Sequence, residues 1–310
     1  MKHSGYLMSS GAEIYYEQYG SGIPLLILHG NSQSLAVFYP FLRAFLPDFQ
    51  VILMDSRGHG RSRLSARTAL RGFSTEDMAD DVIALLDHLH LPSVHLLGFS
   101  DGANIGLEIA CKYPGRLRSL ICLSGNASPD GLLRPLYLAA QMQHTLLNHL
   151  GNLLLPVLKH KAASSSASSA LSALGASLPF QDKVSVSAPS MVFTCKENTN
   201  HFKPIFTRIS VQKKKPDFLA RLTHRVLRRR NLTSLLLHSP HLSAQKLRTI
   251  CIPVLLIAGT RDFIKTSHSR WLARQIPTSQ LLLMTGGRHT SFFREPAPYL
   301  RAILAFLRQN

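Results

Sequence analysis

Acidic side chains are scarce in this 310-residue chain: 17 Asp and Glu stand against 35 Lys and Arg, a formal net charge of +18. Such an excess ordinarily points to nucleic acid or an anionic membrane as partner. Its distribution argues otherwise, because residues 161–230 hold 13 Lys and Arg against 3 Asp and Glu. Over half of the excess therefore lies in under a quarter of the chain, and nucleic acid is not the expected partner. Cysteine is sparse too. Cys111, Cys122, Cys195 and Cys251 are scattered with no C-x-x-C pair, which reads as buried, reduced thiols and favours a cytoplasmic setting. The first 22 residues are polar and lack the apolar centre of a signal peptide. The greasiest stretch, Leu132–Leu158, is broken by Arg134, Gln141, Gln143, His144, Asn148, His149 and Asn152. It is not expected to span a membrane and suits a cap helix over a pocket. No H-E-x-x-H occurs, and His238-Ser239-Pro240-His241 has no third ligand nearby, so no metal is expected. No internal repeat is visible.

Short apolar runs bounded by Gly, Pro and Asp recur along the chain. Ile23–Leu28, Gln50–Met54, Val94–Leu97, Ser119–Leu123, Val254–Ala258 and Gln280–Met284 read as buried strands of a mainly parallel sheet. Ala12–Tyr19 alternates more and suits an antiparallel edge. Between the strands lie helical patterns. In Ser74–His90 the residues Met78, Val82, Leu85, Leu86 and Leu89 share one face, and Ser74 with Asp77 resembles a capping box. Gly102–Tyr113, His268–Gln275 and Pro298–Leu307 complete the set. Strands alternating with helices predict an α/β fold with ligands beyond the carboxyl ends of the strands.

The alternation stops between about Gly125 and Thr249. Residues 161–190 hold ten serines and seven alanines, too little apolar surface to offset the entropy of ordering, and are expected to be mobile. A basic run follows, including Lys213–Lys215 and Arg228–Arg230. The expected organisation is a core half at 1–125, a helical lid or cap insertion at 126–248, and a second core half at 249–310.

One segment carries chemistry. The run Val94–Leu97 reaches Gly98-Phe99-Ser100-Asp101-Gly102, and a helix-competent stretch follows at once. The G-x-S-x-G pattern alone is weak. Its setting after a strand and before a helix is what a nucleophilic serine needs to stand exposed on a sharp turn. A side chain at position 98 or 102 would collide with the crossing strand and helix.

Five motifs in order then resemble the α/β-hydrolase family, over about residues 12–125 and 231–308. Leu28-His29-Gly30-Asn31 is similar to the loop that carries half of the oxyanion hole. Asp55-Ser56-Arg57-Gly58-His59-Gly60-Arg61-Ser62 is similar to the loop after the next strand. Gly98–Gly102 matches the nucleophile elbow. Ala258-Gly259-Thr260-Arg261-Asp262 and Gly286-Gly287-Arg288-His289 match the acid and histidine loops. The resemblance implies Ser100 as nucleophile, Asp262 as acid and His289 as base, with the backbone N–H groups of Asn31 and Asp101 as oxyanion donors. Asp130, which also follows a strand, is the rival acid. His29 and His59 are expected to pack their loops, Asp55 and Arg57 to tie down their turn, and the Asp101 carboxylate to serve as a helix-start charge. Ser100 and Asp262 lie 162 positions apart, more than compact members need, and the excess falls in the serine-rich and basic stretch.

The expected activity is hydrolysis of a small carboxylic ester, thioester or lactone, with no cofactor. A serine at position 100 argues against a dehalogenase, which would carry a carboxylate there. Acyl transfer and cofactor-free haloperoxidase chemistry fit the same triad. The other classes are a non-catalytic protein using the basic 203–230 stretch for nucleic acid or an anionic surface, and an enzyme whose greasy lid docks on lipid.

Overall fold

A computed structural model describes residues 2–164 and 218–310. Each apolar run forms a strand: β3 (Ile23–Leu28), β4 (Phe49–Met54), β6 (Val94–Phe99), β7 (Leu117–Leu123), β8 (Val254–Gly259) and β9 (Ser279–Met284). They join β1 (Lys2–Ser9), β2 (Ala12–Tyr19) and the two-residue β5 (Arg63–Leu64) in one sheet of order β1-β2-β4-β3-β6-β7-β8-β9, with β5 against β2. The six run strands pair in parallel, while β2 is antiparallel to β1, β4 and β5.

Burial on both faces explains the unbroken hydrophobicity of the strands. Leu26, Leu28, Ile52 and Met54 point to one cluster, and Leu25, Ile27, Val51 and Leu53 to the other. Among the described residues six helices have ten or more residues: α1 (Thr75–His88), α2 (Asp101–Lys112), α3 (Arg134–Ser164), α4 (Phe218–His238), α5 (Thr266–Gln275) and α6 (Pro296–Gln309). Met78, Val82 and Leu85 of α1, Ile105 and Ile109 of α2 and Leu272 of α5 cover the first face. Tyr299, Ile303 and Phe306 of α6 cover the second, together with Phe38 and Phe45. Each such buried side chain contributes on the order of 1.5–3 kcal/mol. The capping box at the start of α1 is present, with Ser74 and Asp77 each bonding the other's backbone N–H.

Two expectations need correction. Strand β2 is not an edge, because β1 lies outside it across a two-residue turn at Ser10-Gly11. In β1 only Leu7 is buried, so no apolar alternation announces it. The thiols also differ from one another: Cys122 is buried, Cys111 half-buried and Cys251 exposed, since Cys251 lies in the loop before β8 rather than in it. Of the insertion expected at 126–248, helices α3 and α4 are described. The remainder of the serine–alanine tract, Cys195 and the lysines of the 203–230 stretch lie outside the described residues.

The turn after β4 is held by a buried ion pair. Arg57 Nε and Nη2 donate to the two carboxylate oxygens of Asp81 on α1, at 2.6 and 2.7 Å, with both side chains fully enclosed. Asp55 ties the same turn from within, accepting from the Leu35 N–H at 2.7 Å and the Arg61 N–H at 2.8 Å. Removing one partner of a buried pair strands the other charge. Asp81→Ala is therefore expected to lower the urea unfolding free energy by about 3–5 kcal/mol. Asp48→Ala, which breaks an exposed pair with Arg308, should cost under ~1 kcal/mol. Equal losses in the two variants would contradict this reading of the turn.

Candidate active site

Strand β6 and helix α2 meet at a single residue, Ser100, with φ 53° and ψ −117°. A non-glycine residue in this region carries strain of about 1–3 kcal/mol, so the surroundings must impose it. The Ser100 N–H donates to Leu123 O at 2.8 Å, and its carbonyl accepts from the N–H groups of Ala103 and Asn104. The flanking glycines are required sterically. A Cβ on Gly98 would lie 2.2 Å from Gly102 O, and one on Gly102 would lie 2.4 Å from Leu28 O. The serine is thus held at the carboxyl end of β6, with the first turn of α2 directly behind it.

The loops after β8 and β9 bring two further side chains to this point. His289 Nε2 lies 3.1 Å from Ser100 Oγ, and His289 Nδ1 lies 2.7 Å from Asp262 Oδ1. The carboxylate can only accept there, so Nδ1 carries the proton and Nε2 accepts from the serine hydroxyl. The imidazole is walled by Phe99 and Phe263, with ring centroids 5.1 and 5.2 Å away. Asp262 is buried and accepts further hydrogen bonds from Ser124 Oγ at 2.6 Å and the Ile264 N–H at 3.1 Å. Burial pushes its pKa up, but the bonds from His289, Ser124 and Ile264 outweigh that and hold it below the usual carboxylate value.

The loop Leu28–Asn31 runs against the serine. A Cβ on Gly30 would stand 3.0 Å from Ser100 Cβ, which sets the scale of the approach. His29 is buried, with Nδ1 at 2.8 Å from Gly30 O and Nε2 accepting from the Ser56 N–H at 3.1 Å. His59 Nε2 accepts from the Ser32 N–H at 3.2 Å. Both histidines therefore brace loops. Burial lowers the pKa of each, that of His59 to about 3, so both are neutral scaffolding at physiological pH. Among the described residues the Asn31 N–H makes no hydrogen bond. The Asp101 N–H is the first of α2, where no intrahelical acceptor exists. Two donors at a positive helix end suit a developing oxyanion.

One side chain acts differently from the sequence reading, and a second was not singled out by it. Asp101 does begin a helix, but its carboxylate is buried rather than solvated. It accepts from Asn31 Nδ2 at 2.9 Å, and the same Nδ2 donates to Leu232 O of α4 at 2.9 Å. Burial raises the Asp101 pKa to about 6, against the opposing bond from Asn31. Ser124, which follows β7 at φ 56°, had no sequence signal beyond its place after an apolar run. The rival acid, Asp130, is exposed, and its recorded bond is from Lys265 Nζ to its backbone carbonyl. Among the described residues no cluster of three His, Cys, Asp or Glu side chains is arranged to hold a metal ion.

A family profile described as the alpha/beta hydrolase fold matches residues 23–296. Among curated proteins, the "Putative carbamate hydrolase RutD" of Azorhizobium caulinodans is 35% identical over 129 residues, 42% of this chain and 47% of that protein. The "Uncharacterized hydrolase YraK" of Bacillus subtilis is 30% identical over 119 residues, 38% of this chain and 43% of that protein. The chain spans about half the length of the curated relatives it matches. Among solved structures, MGS-M2, an alpha/beta hydrolase enzyme from a Medee basin deep-sea metagenome library, aligns with a TM-score of 0.67 at 17% identity, covering 99% of this chain and 98% of that one. That likeness shows a shared fold.

The buried Asp101 makes stability depend on pH with a definite sign. Between its ordinary value of 3.8 and about 6, the folded chain keeps a proton that the unfolded chain has released, so stability falls as pH rises through that window. Asp101→Asn keeps an oxygen for Asn31 Nδ2 and removes the titration. Its Tm advantage over the wild type is expected to grow across this window and then level off. An advantage that is flat or shrinks with pH would contradict the assignment.

Proposed function

The chain belongs to the alpha/beta hydrolase fold family, and on that premise we propose that it is a serine hydrolase acting on a small carboxylic ester, thioester or lactone. The observation that supports this most is the unbroken hydrogen-bond relay from Ser100 Oγ through His289 to Asp262. A serine hydroxyl is a poor nucleophile at neutral pH and needs a base within hydrogen-bond reach. His289 Nε2 at 3.1 Å meets that need. As Ser100 Oγ attacks the acyl carbon, its proton moves to Nε2. Asp262, held ionised by its hydrogen bonds, stabilises the imidazolium and fixes its tautomer.

The carbonyl oxygen becomes an oxyanion, which the N–H groups of Asn31 and Asp101 would receive. Each such donor contributes roughly 3–4 kcal/mol to lowering the barrier. Collapse of the tetrahedral intermediate expels the alcohol, thiol or lactone oxygen, which takes the proton from Nε2. Water then attacks the acyl-serine, with His289 acting again as base, and the acid is released. No step calls for a metal or an organic cofactor. In this reading helices α3 and α4 belong to a cap over the site, and Leu232 of α4, bonded to Asn31, is where that cap touches the proposed oxyanion loop.

A fluorophosphonate probe is expected to label the wild type and leave Ser100→Ala untouched. A chain-length series of aryl esters and thioesters should show Ser100→Ala and His289→Ala slowed by roughly 10⁴-fold or more. Asp262→Asn should fall nearly as far, because the tautomer is then wrong. Equal labelling of wild type and Ser100→Ala would sink the proposal.

A further inference from the structure

A cavity of about 290 Å³ opens beside β5, and none of Ser100, Asp262, His289 or Asn31 lines it. Its walls come from Tyr6 of β1, from Arg61 and Arg63 at β5, and from His224 and Arg228 of α4. Among the described residues no Asp or Glu lines it. Three arginines thus border one small space that holds no carboxylate.

Arginines that only tie a surface together commit their donors to protein acceptors. These three do so in part. Nη1 of Arg61 reaches the Tyr15 hydroxyl at 2.5 Å and Glu17 Oε1 at 3.4 Å, and Nη1 of Arg63 reaches Glu13 Oε2 at 3.4 Å. Nε of Arg228 donates to Gly58 O at 2.8 Å. Each guanidinium keeps its other two nitrogens without a hydrogen-bond partner among the described residues. Arg63 also lies over the Tyr6 ring, 5.7 Å from its centroid, so charge and an aromatic face adjoin on one wall. Leu64 and Ala69 add apolar surface. His224 is half-buried, and burial together with Arg228 lowers its pKa. Its imidazole is therefore neutral at physiological pH, and the positive charge of the walls belongs to the arginines.

Charge, valence and size together select a ligand class. Guanidinium groups with free donors call for an oxyanion. A carboxylate offers two oxygens, whereas a phosphate monoester offers three and carries about −1.5 to −2 charge at pH 7. Three forks with free donors match the phosphate better. The Tyr6 face and the Leu64 and Ala69 side suit an apolar or aromatic body attached to it. The volume lies at the small end of small-molecule pockets and cannot admit a helix about 10–12 Å across. We propose that this cavity binds a small phosphate monoester with an apolar or aromatic body.

The cavity also joins two parts of the chain. Two of its walls belong to the sheet and the third to α4. Asn231 of α4 lines it as well, and the carbonyl of the next residue, Leu232, accepts the bond from Asn31 Nδ2. A phosphate held between Arg63 and Arg228 would brace α4 against the sheet one residue from that bond. The inference is independent of whether Ser100 reacts.

The test is calorimetric titration of the full-length protein with phenyl phosphate, inorganic phosphate, benzoate and phenol. Phenyl phosphate should bind at least ~10-fold more tightly than the other three, and salt should weaken it. Arg63→Gln and, separately, Arg228→Gln should each weaken phenyl phosphate ~10-fold or more, with circular dichroism unchanged. The two substitutions act from opposite walls, so disturbed packing of α4 cannot account for both losses. Ser100→Ala should bind as the wild type does. No binding of phenyl phosphate, equal binding of benzoate or inorganic phosphate, or full affinity in either arginine variant would overturn the proposal. So would binding that disappears in Ser100→Ala, which would place the ligand at the proposed acyl site.

Discussion

Helix α2 approaches strand β3 so closely that no side chain fits between Gly102 and the Leu28 carbonyl, and the geometry of the site follows from that approach. With the helix fixed there, the chain leaving β6 has one residue in which to turn. Ser100 makes that turn in left-handed backbone geometry. Its strain is offset by the hydrogen bonds of its own N–H and carbonyl to β7 and α2. The same packing sets the Leu28–Asn31 loop beside the serine, so the proposed nucleophile and the two candidate oxyanion donors are located by one contact. His289 and Asp262 then need only to arrive from neighbouring strand ends. The parallel order β6-β7-β8-β9 brings them there.

Two buried carboxylates near Ser100 show how surroundings divide similar groups. Asp262 receives hydrogen bonds from an imidazole, a hydroxyl and a backbone amide, and its pKa falls in spite of burial. Asp101 receives one from Asn31, and desolvation prevails. The first is suited to stabilise positive charge on His289. The second joins the two residues whose backbones carry the proposed oxyanion donors, and through Asn31 it touches α4. The position of the proposed cap and that of the oxyanion loop are therefore coupled through one side-chain amide.

What could be read from the sequence was whatever leaves a local pattern. Buried parallel strands are apolar throughout, so β3, β4, β6, β7 and β8 announce themselves, and the glycines around Ser100 mark the sharp turn. The capping box of α1 occupies four consecutive positions. The α/β architecture and the meeting of Ser100, Asp262 and His289 were accessible for that reason. Strand β1 was not, because a strand with one buried residue has no periodicity. The Ser124–Asp262 bond spans 138 positions and the Asn31–Leu232 bond 201, and one serine or one asparagine carries no sign of so distant a partner. The fate of the Asp101 carboxylate was hidden too. A helix-start aspartate ordinarily favours its charge, and only three-dimensional burial reverses that.

The central claim is that the relay through His289 makes Ser100 the atom that carries the acyl group. Intact-protein and peptide mass spectrometry after rapid quench with an activated aryl ester tests it most directly. The account requires one acyl mass on the peptide containing Ser100, appearing in a burst with the released phenol and strongly diminished in His289→Ala. Turnover that leaves this peptide unmodified, or an acyl group found on another side chain, would contradict it.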